Sequence, residues 1–141
     1  MAKPEPILAA MPGLDRRELI AVFAGGALGT IVRAALEESV SSGAPGWPWT
    51  TLAINIAGAA LLGYFATRLQ ERLPLSSYRR PLLGTGLCGG LTTFSTFQLE
   101  LLKMLDAGAY ARAAAYAAAS LVAGYAALTI ATAWVRRVRL A

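Results

Sequence analysis

The chain has 141 residues, of which 56% are hydrophobic and 15% are charged. Soluble domains average about 45–50% apolar and about 25% charged residues, so the composition indicates a small integral membrane protein with little chain outside the bilayer. The absence of histidine excludes a histidine-based proton shuttle, metal site or catalytic dyad, and the net charge of +5 indicates contact with anionic lipid head groups rather than with nucleic acid.

The first membrane span is predicted from Leu19 to Leu36, after a polar N-terminal tail at residues 1–18. Because the run has no convincing small-residue cleavage site, it is predicted to be a retained span and not a signal peptide. It includes glycines spaced as Gly-x-x-x-Gly, which allow another helix to approach closely. Arg33 lies near the end of this span, and two interpretations of it stay open. Its side chain can pair with Glu37 one turn further on, or its positive charge can attract anions to the entrance of a pathway.

The second span is predicted from Trp49 to Leu69, after a loop rich in serine, glycine and proline at residues 41–48. Thr51 and Asn55 lie four residues apart and share one helical face. An amide is costly in lipid, so Asn55 must face protein or water. In the packing interpretation, which the sequence alone favours, Asn55 forms a hydrogen bond between helices. The functional interpretation makes it a donor to a passing anion.

The third span, predicted from Pro81 to Leu105, contains a run that makes a poor membrane helix. Between Gly84 and Phe97 lie four glycines and five hydroxyl residues, and glycine and threonine both weaken a helix interior. A break is therefore predicted between Gly89 and Thr93. At membrane depth, such a break can present free backbone carbonyls to an ion. The alternative is a glycine-rich packing face whose hydroxyls bond back to their own helix.

Aromatic and polar side chains follow the predicted break. Phe94 and Phe97 lie three residues apart, on nearly the same helical face. The positive edge of an aromatic ring can attract a small anion without trapping it as a fixed cation would. Hydroxyls and an amide can replace the hydration that an anion loses, and the available donors are Asn55, Ser95, Thr96, Tyr116 and Ser120. An anion pathway fits these residues better than an enzyme, because the sequence has no nucleophile elbow, phosphate loop or metal-ligand cluster.

The fourth span is predicted from Ala109 to Val135 and is followed by a basic C-terminal tail at residues 136–141. Tyr116, Ser120 and Gly124 recur every four residues along it, a stripe that is more often packing than a pathway. The prediction is thus an all-α membrane protein with four transmembrane helices, the third of them broken, in one domain at residues 19–135. A proton-coupled exporter of small substrates is the alternative function. It would need a carboxylate deep within a span, and the only candidate, Glu100, lies in the last two turns of its span.

Three motifs are distributed over these spans. They are Gly25-Gly26-x-x-Gly29-x-x-x-Arg33, Thr51-Leu52-x-Ile54-Asn55-x-x-Gly58 and Gly86-x-Cys88-Gly89-Gly90-x-Thr92-Thr93-Phe94-Ser95-Thr96-Phe97. Together they resemble the Fluc (CrcB) fluoride channel family, over about residues 19–135. The resemblance implies a passive fluoride channel of the cell (inner) membrane that exports fluoride and uses no organic cofactor. It also implies an antiparallel dual-topology homodimer with two pores and a structural sodium ion.

The resemblance also implies roles for individual residues. Phe94 and Phe97 resemble the aromatic box of the family, and Asn55 resembles the pore amide beside it. The backbone carbonyls of Gly89 and Thr92 resemble the sodium ligands. The other implied positions line the pore or, for the arginine, its vestibule: Ser95, Glu100, Tyr116, Ser120 and Arg33. Gly124 departs from the pattern, because the fourth-helix stripe can carry another hydroxyl there.

The distribution of basic residues conflicts with this implied dual topology. Four spans put both termini and the 68–80 connection on one side of the membrane, with Lys3, Arg16, Arg17, Arg68, Arg72, Arg79, Arg80, Arg136, Arg137 and Arg139. The other side holds Arg33, Lys103 and Arg112. The positive-inside rule therefore favours both termini in the cytoplasm. A homodimer is the preferred prediction, and a heterodimer with an oppositely oriented paralogue is the alternative.

Overall fold

The computed structural model describes residues 15–40, 46–71 and 78–138. Within these ranges the secondary structure is helical and contains no strand, which confirms the all-α prediction. The elements are α1 (Arg16–Val40), α2 (Trp49–Glu71), a π-helical segment (Pro81–Cys88), α3 (Gly89–Leu91), α4 (Phe94–Asp106) and α5 (Tyr110–Arg137).

Three of the described helices are long and apolar enough to cross a membrane: Arg16–Ser39, Trp49–Glu71 and Tyr110–Arg137. They correspond to the first, second and fourth predicted spans. The third predicted span is divided, because the helix stops after Leu91 and resumes at Phe94. Thr92 and Thr93 between them have extended backbones, with φ/ψ of −78°/153° and −137°/121°. That the two parts make one membrane crossing stays a prediction.

Some predicted segments lie partly or wholly outside the described residues. These are residues 1–14 of the N-terminal tail, 41–45 and 72–77 of the two connections, and 139–141 of the C-terminal tail. The remainder of each tail is mostly helical. Asp15 Oδ1 accepts a 2.9 Å hydrogen bond from the Arg17 amide at the start of α1, and α5 continues through Arg137.

Glycines bring α1 and the π-helical segment into backbone contact. A Cβ atom on Gly25 would collide with the Leu82 carbonyl, and one on Gly29 would collide with the Leu87 carbonyl. In return, a Cβ on Gly86 would lie 2.7 Å from the Val22 carbonyl oxygen. Residue numbers rise together along this contact, so the two elements run parallel. The close approach predicted from the glycine spacing in the first span is confirmed.

The helices α2 and α5 form a second parallel pair. A Cβ on Gly63 would lie 2.5 Å from the Leu128 carbonyl oxygen, and one turn further along, the Thr67 hydroxyl donates to the Thr132 hydroxyl at 3.4 Å. Near the start of α2, a buried cluster joins this pair to α4, and its members are Leu52, Met104, Ala113 and Tyr116. Tyr116 is 0% exposed, which makes it the anchor of that cluster.

The two parallel pairs run in opposite directions, because Asn55 contacts Thr93 whereas the earlier Thr51 contacts the later Glu100. Basic residues therefore collect at one end of the molecule. That end carries Arg16, Arg17, Arg68, Arg79, Arg80, Arg136 and Arg137, and the opposite end carries Arg33, Lys103 and Arg112. The predicted charge grouping holds for the described residues; Lys3, Arg72 and Arg139 lie outside them.

The glycine contact can be tested by Gly29→Ala. Its Cβ would strike the Leu87 carbonyl and lie 2.7 Å from the Leu91 amide nitrogen, and backbone atoms cannot rotate away as side chains can. We expect the substitution to lower the free energy of unfolding by about 1–3 kcal/mol, the usual cost of overpacking. Thermal unfolding in detergent measures this. The control is Gly124→Ala, whose Cβ meets no described atom within 4 Å. An equal unfolding midpoint for both variants would contradict the prediction.

Candidate functional site

The Asn55 side chain binds the backbone where the helix is interrupted. Its Nδ2 donates to the Thr93 carbonyl at 3.0 Å, and its Oδ1 accepts from the Thr93 amide at 2.8 Å. An amide side chain can replace a backbone partner in this way because it carries one donor group and one acceptor group. Asn55 therefore satisfies both backbone polar groups of Thr93, its amide and its carbonyl, and holds this residue extended.

Two helical hydrogen bonds are lost at the break because their amides donate elsewhere. In an α-helix the Thr93 amide would reach the Gly89 carbonyl, four residues back; here it donates to Asn55. Likewise, the Thr96 amide would reach the Thr92 carbonyl, but it donates to Thr93 Oγ1 at 3.2 Å. The carbonyls of Gly89 and Thr92, which are the predicted sodium ligands, thus lose their helical donors.

The neighbouring carbonyls do have partners. The Cys88 carbonyl accepts from the Thr92 amide at 3.0 Å and from the Thr92 hydroxyl at 2.9 Å. The Gly90 carbonyl accepts from Arg33 Nε at 3.2 Å. Backbone carbonyl oxygens freed at a helix interruption are suitable ligands for a small hard cation. The chemistry of the Gly89 and Thr92 carbonyls is therefore compatible with a sodium ion.

Arg33 reaches this region from α1. Besides its bond to Gly90, its Nη1 lies 3.3 Å from Glu37 Oε2, and the two side chains are 23% and 32% exposed. The pairing predicted from their four-residue spacing is therefore present. The contact with the Gly90 carbonyl was not predicted, because nothing in the sequence indicates which turn of the third span faces Arg33.

Two phenylalanines lie immediately after the break. The ring centroids of Phe94 and Phe97 are 6.1 Å apart with an interplanar angle of 35°. Phe94 is 73% exposed, whereas Phe97 packs against the Tyr116 ring at 5.2 Å. The structure thus brings the two predicted rings together, with one anchored in the buried cluster and the other open to the outside of the chain.

Glu100 accepts two short hydrogen bonds one turn beyond Phe97. The Thr51 hydroxyl donates to Oε1 at 2.6 Å, and the Tyr116 hydroxyl donates to Oε2 at 2.6 Å. The indole of Trp47 packs edge-on against the Tyr116 ring at 5.6 Å. Both carboxylate oxygens of Glu100 are thereby held by hydroxyl groups from α2 and α5.

The remaining predicted donors fall into two groups. Thr96 and Ser95 lie at the break, where their hydroxyls are 3.0 Å and 3.3 Å from Thr93 Oγ1. Ser120 lies one turn beyond Tyr116, and its buried hydroxyl has no hydrogen-bond partner among the described residues. Phe97 connects the break to Glu100 and its two partners, Thr51 and Tyr116. Arg33 approaches the break from α1.

Sequence reasoning gave no role to three residues that build the site. Thr93 caps α4 through its hydroxyl, and a threonine directly before a helix is a recognisable signal for such a cap. Thr51 holds Glu100. Gly58 makes room for the Thr92 methyl group, which a Cβ would strike. The last two contacts depend on helix register, which the sequence pattern does not specify.

Comparisons with known proteins agree on one family. The family described as CrcB-like protein, Camphor Resistance (CrcB), matches residues 20–132. The fluoride-specific ion channel FluC 1 of Mycobacterium bovis is 59% identical over 130 residues, which cover 92% of this chain and 98% of the relative. FluC 1 of Mycolicibacterium paratuberculosis is 60% identical over 89% of this chain and 96% of its own length. The fluoride-specific ion channel FluC of Phocaeicola vulgatus is 40% identical over 77% of this chain and 89% of its own length.

The bond between Asn55 and Thr93 can be tested by Asn55→Ala. This substitution leaves the backbone amide and carbonyl of Thr93 without their partner. Each of these groups that stays unsatisfied costs about 1–3 kcal/mol of stability. We expect faster hydrogen exchange of the Thr93 and Phe94 amides, measured by mass spectrometry on peptides from this region. Thr67→Val is the matched control, because it removes an α2 hydroxyl that bonds to Thr132. Unchanged exchange in Asn55→Ala would show that the contact does not hold the break.

Proposed function

The chain belongs to the CrcB family, and we propose that it is a passive, fluoride-selective channel through which fluoride leaves the cytoplasm. It is a multi-pass membrane protein, and the proposed location is the cell (inner) membrane. Its relatives are named ion channels, which is not a class of enzymes and agrees with the lack of enzyme motifs in the sequence. Flow down an electrochemical gradient needs no organic cofactor.

The observation that carries this proposal is the pair of rings next to a hydrogen-bonding break. Phe94 and Phe97 are 6.1 Å apart and directly follow Thr93, whose backbone Asn55 binds. Ring edges attract an anion weakly, while the second hydrogen of the Asn55 amide remains available as a donor. A weakly held anion with a nearby donor can both enter and leave, which conduction requires.

The proposed fluoride pathway uses the polar residues on either side of the rings. Ser95 and Thr96 contribute hydroxyls at the break, and Ser120 contributes a buried hydroxyl with no partner among the described residues. Tyr116 and Glu100 line the same path, with the Tyr116 hydroxyl donating to the carboxylate. Arg33 provides the positive charge of the vestibule.

We propose that the π-helical segment, α3 and α4 together form the third span, broken at Thr92 and Thr93. We also propose an antiparallel dual-topology homodimer with two pores. The Gly89 and Thr92 carbonyls of one chain supply two oxygen ligands for sodium, and a two-fold axis would supply the same two from a second chain. When bound, sodium would supply the positive charge that holds these converging carbonyls together.

A heterodimer with an oppositely oriented paralogue is the alternative assembly. Support for it comes from the charges: among the described residues, the basic end carries seven arginines and the opposite end three basic side chains. A bias of this kind favours a single orientation. The homodimer is preferred because one chain contains both proposed ligands, and a two-fold axis would complete the set.

Fluoride efflux from proteoliposomes tests the channel function. We expect purified protein to dissipate a fluoride gradient without a proton gradient, and chloride to be retained. Phe94→Ile and Phe97→Ile should each abolish or sharply slow the flux while the protein still assembles, because isoleucine keeps apolar bulk but has no positive ring edge.

Phe65→Ile is the matched control for these variants. Phe65 packs edge-on against Tyr64 at 5.4 Å, at the basic end of α2, and its loss should leave the flux unchanged. Undiminished flux in both Phe94→Ile and Phe97→Ile would assign the two rings to packing alone. Flux that appears only with a proton gradient would favour the proton-coupled exporter.

Labelling of an introduced cysteine tests the dual topology. In a Cys88→Ala background, Ala141→Cys is exposed to an impermeant thiol reagent on intact cells. We expect about half of the chains to react, because a dual-topology homodimer contains both orientations in equal numbers. Essentially no reaction would contradict the homodimer and leave the heterodimer. Complete reaction after the cells are opened confirms that the cysteine is reactive.

A further inference from the structure

We propose that Arg33, braced by Glu37, is a positioning residue for the sodium site. The inference rests on the sodium ion of the proposed function. Arg33 donates from Nε to the Gly90 carbonyl at 3.2 Å, and Gly90 directly follows the proposed ligand Gly89. By engaging this carbonyl, the guanidinium fixes the orientation of the α3 turn and leaves the Gly89 carbonyl to the cation.

The position of Gly90 makes such a brace necessary. It lies in the last turn before the extended Thr92 and Thr93, where helical carbonyls lack intrahelical partners. Gly90 packs against the Gly26 backbone, but glycine restricts its own backbone dihedral angles least, so the direction of its carbonyl depends on a separate partner. Without Arg33, the Gly90 carbonyl would compete with that of Gly89 for a cation, and the turn could rotate between the two.

The geometry of Arg33 suits a brace better than a free charge. Its Nη1 contacts both Glu37 oxygens, at 3.4 Å and 3.3 Å, while Nε points to Gly90. The backbone of α1 is itself fixed one turn earlier, because Gly29 packs against the Leu87 carbonyl and the Leu91 amide. A planar guanidinium can hold two partners in fixed directions at once, which a lysine ammonium does not do.

Charge and positioning predict opposite effects on sodium binding. If Arg33 acted only as a charge near the site, its removal would strengthen sodium binding, because it would relieve repulsion and leave Glu37 negative. If Arg33 positions the turn, its removal weakens binding. Arg33→Lys distinguishes charge from positioning, because lysine keeps the positive charge but lacks the planar guanidinium that binds two partners in fixed directions. Glu37→Gln should also weaken binding, because it loosens Arg33 and leaves its charge uncompensated.

The experiment measures how sodium stabilises the purified full-length protein. The thermal unfolding midpoint is followed as sodium replaces N-methylglucamine at constant ionic strength. Its rise is fitted to the mass-action stabilisation of the bound native state, which gives the half-maximal concentration, at which half of the sites hold sodium. We expect Arg33→Met and Arg33→Lys each to raise this concentration by about tenfold or more, the usual effect of losing a partner that orients a metal ligand. Glu37→Gln should give a smaller increase.

Arg112→Met is the matched control. Arg112 is an exposed arginine at the same end of the molecule, so its loss changes the net charge without touching α3, and the sodium response should stay at the wild-type value. A general loss of stability in the Arg33 variants would lower the midpoint at every sodium concentration but would not move the half-maximal concentration.

The outcomes separate this inference from the function on which it rests. A wild-type half-maximal concentration in Arg33→Lys, or tighter binding in Arg33→Met, would overturn the positioning role while sodium binding stands. No sodium response in the wild type would overturn both the sodium site and the role of Arg33, while fluoride efflux would still decide the channel function. If Arg33→Met does not fold, Arg33→Lys gives the decision.

Discussion

The bidentate contact between Asn55 and Thr93 is the interaction on which the rest of the site depends. Because the Thr93 amide donates to Asn55, it does not donate to the Gly89 carbonyl. The contact also fixes the start of α4, where the Thr93 hydroxyl accepts a hydrogen bond from the Thr96 amide. One side chain on α2 therefore frees a possible cation ligand on one side of the break and aligns the two phenylalanines on the other. The proposed sodium and fluoride sites are coupled through it.

Close backbone packing makes this coupling rigid. Gly25 and Gly29 bring α1 against the carbonyls of Leu82 and Leu87, and Gly58 accepts the Thr92 methyl group. An extended pair of residues inside a helical bundle would otherwise be free to shift. Because atoms of α1 and α2 lie directly against the break on two sides, the path of the chain has little room to change, while the direction of the Gly90 carbonyl also depends on its bond from Arg33.

The sequence was sufficient for features that depend on composition and short spacing. Three of the four predicted spans, the glycine contact and the Arg33–Glu37 pair follow from local patterns. Thr92, which has an extended backbone, lies within the region 89–93 where the sequence predicts a break. The partners of Asn55, Thr51 and Arg33 did not follow, since they depend on the relative register of helices far apart in the chain. The π-helical winding at Pro81–Cys88 had no recognisable signal either.

In the proposed fluoride pathway, the pairing of Glu100 limits which groups could bind an anion beyond Phe94 and Phe97. An ionised carboxylate only accepts hydrogen bonds, so the hydroxyl hydrogens of Thr51 and Tyr116 point to Glu100 and not into a pathway. The carboxylate is shielded by these two donors, which reduces its repulsion of a passing anion. Because its hydroxyl donates to Glu100, Tyr116 would contribute its ring to the proposed pathway, and this ring packs against Phe97. Ser120 is the next donor along α5, so the path past Phe97 would rely on ring edges followed by a single hydroxyl.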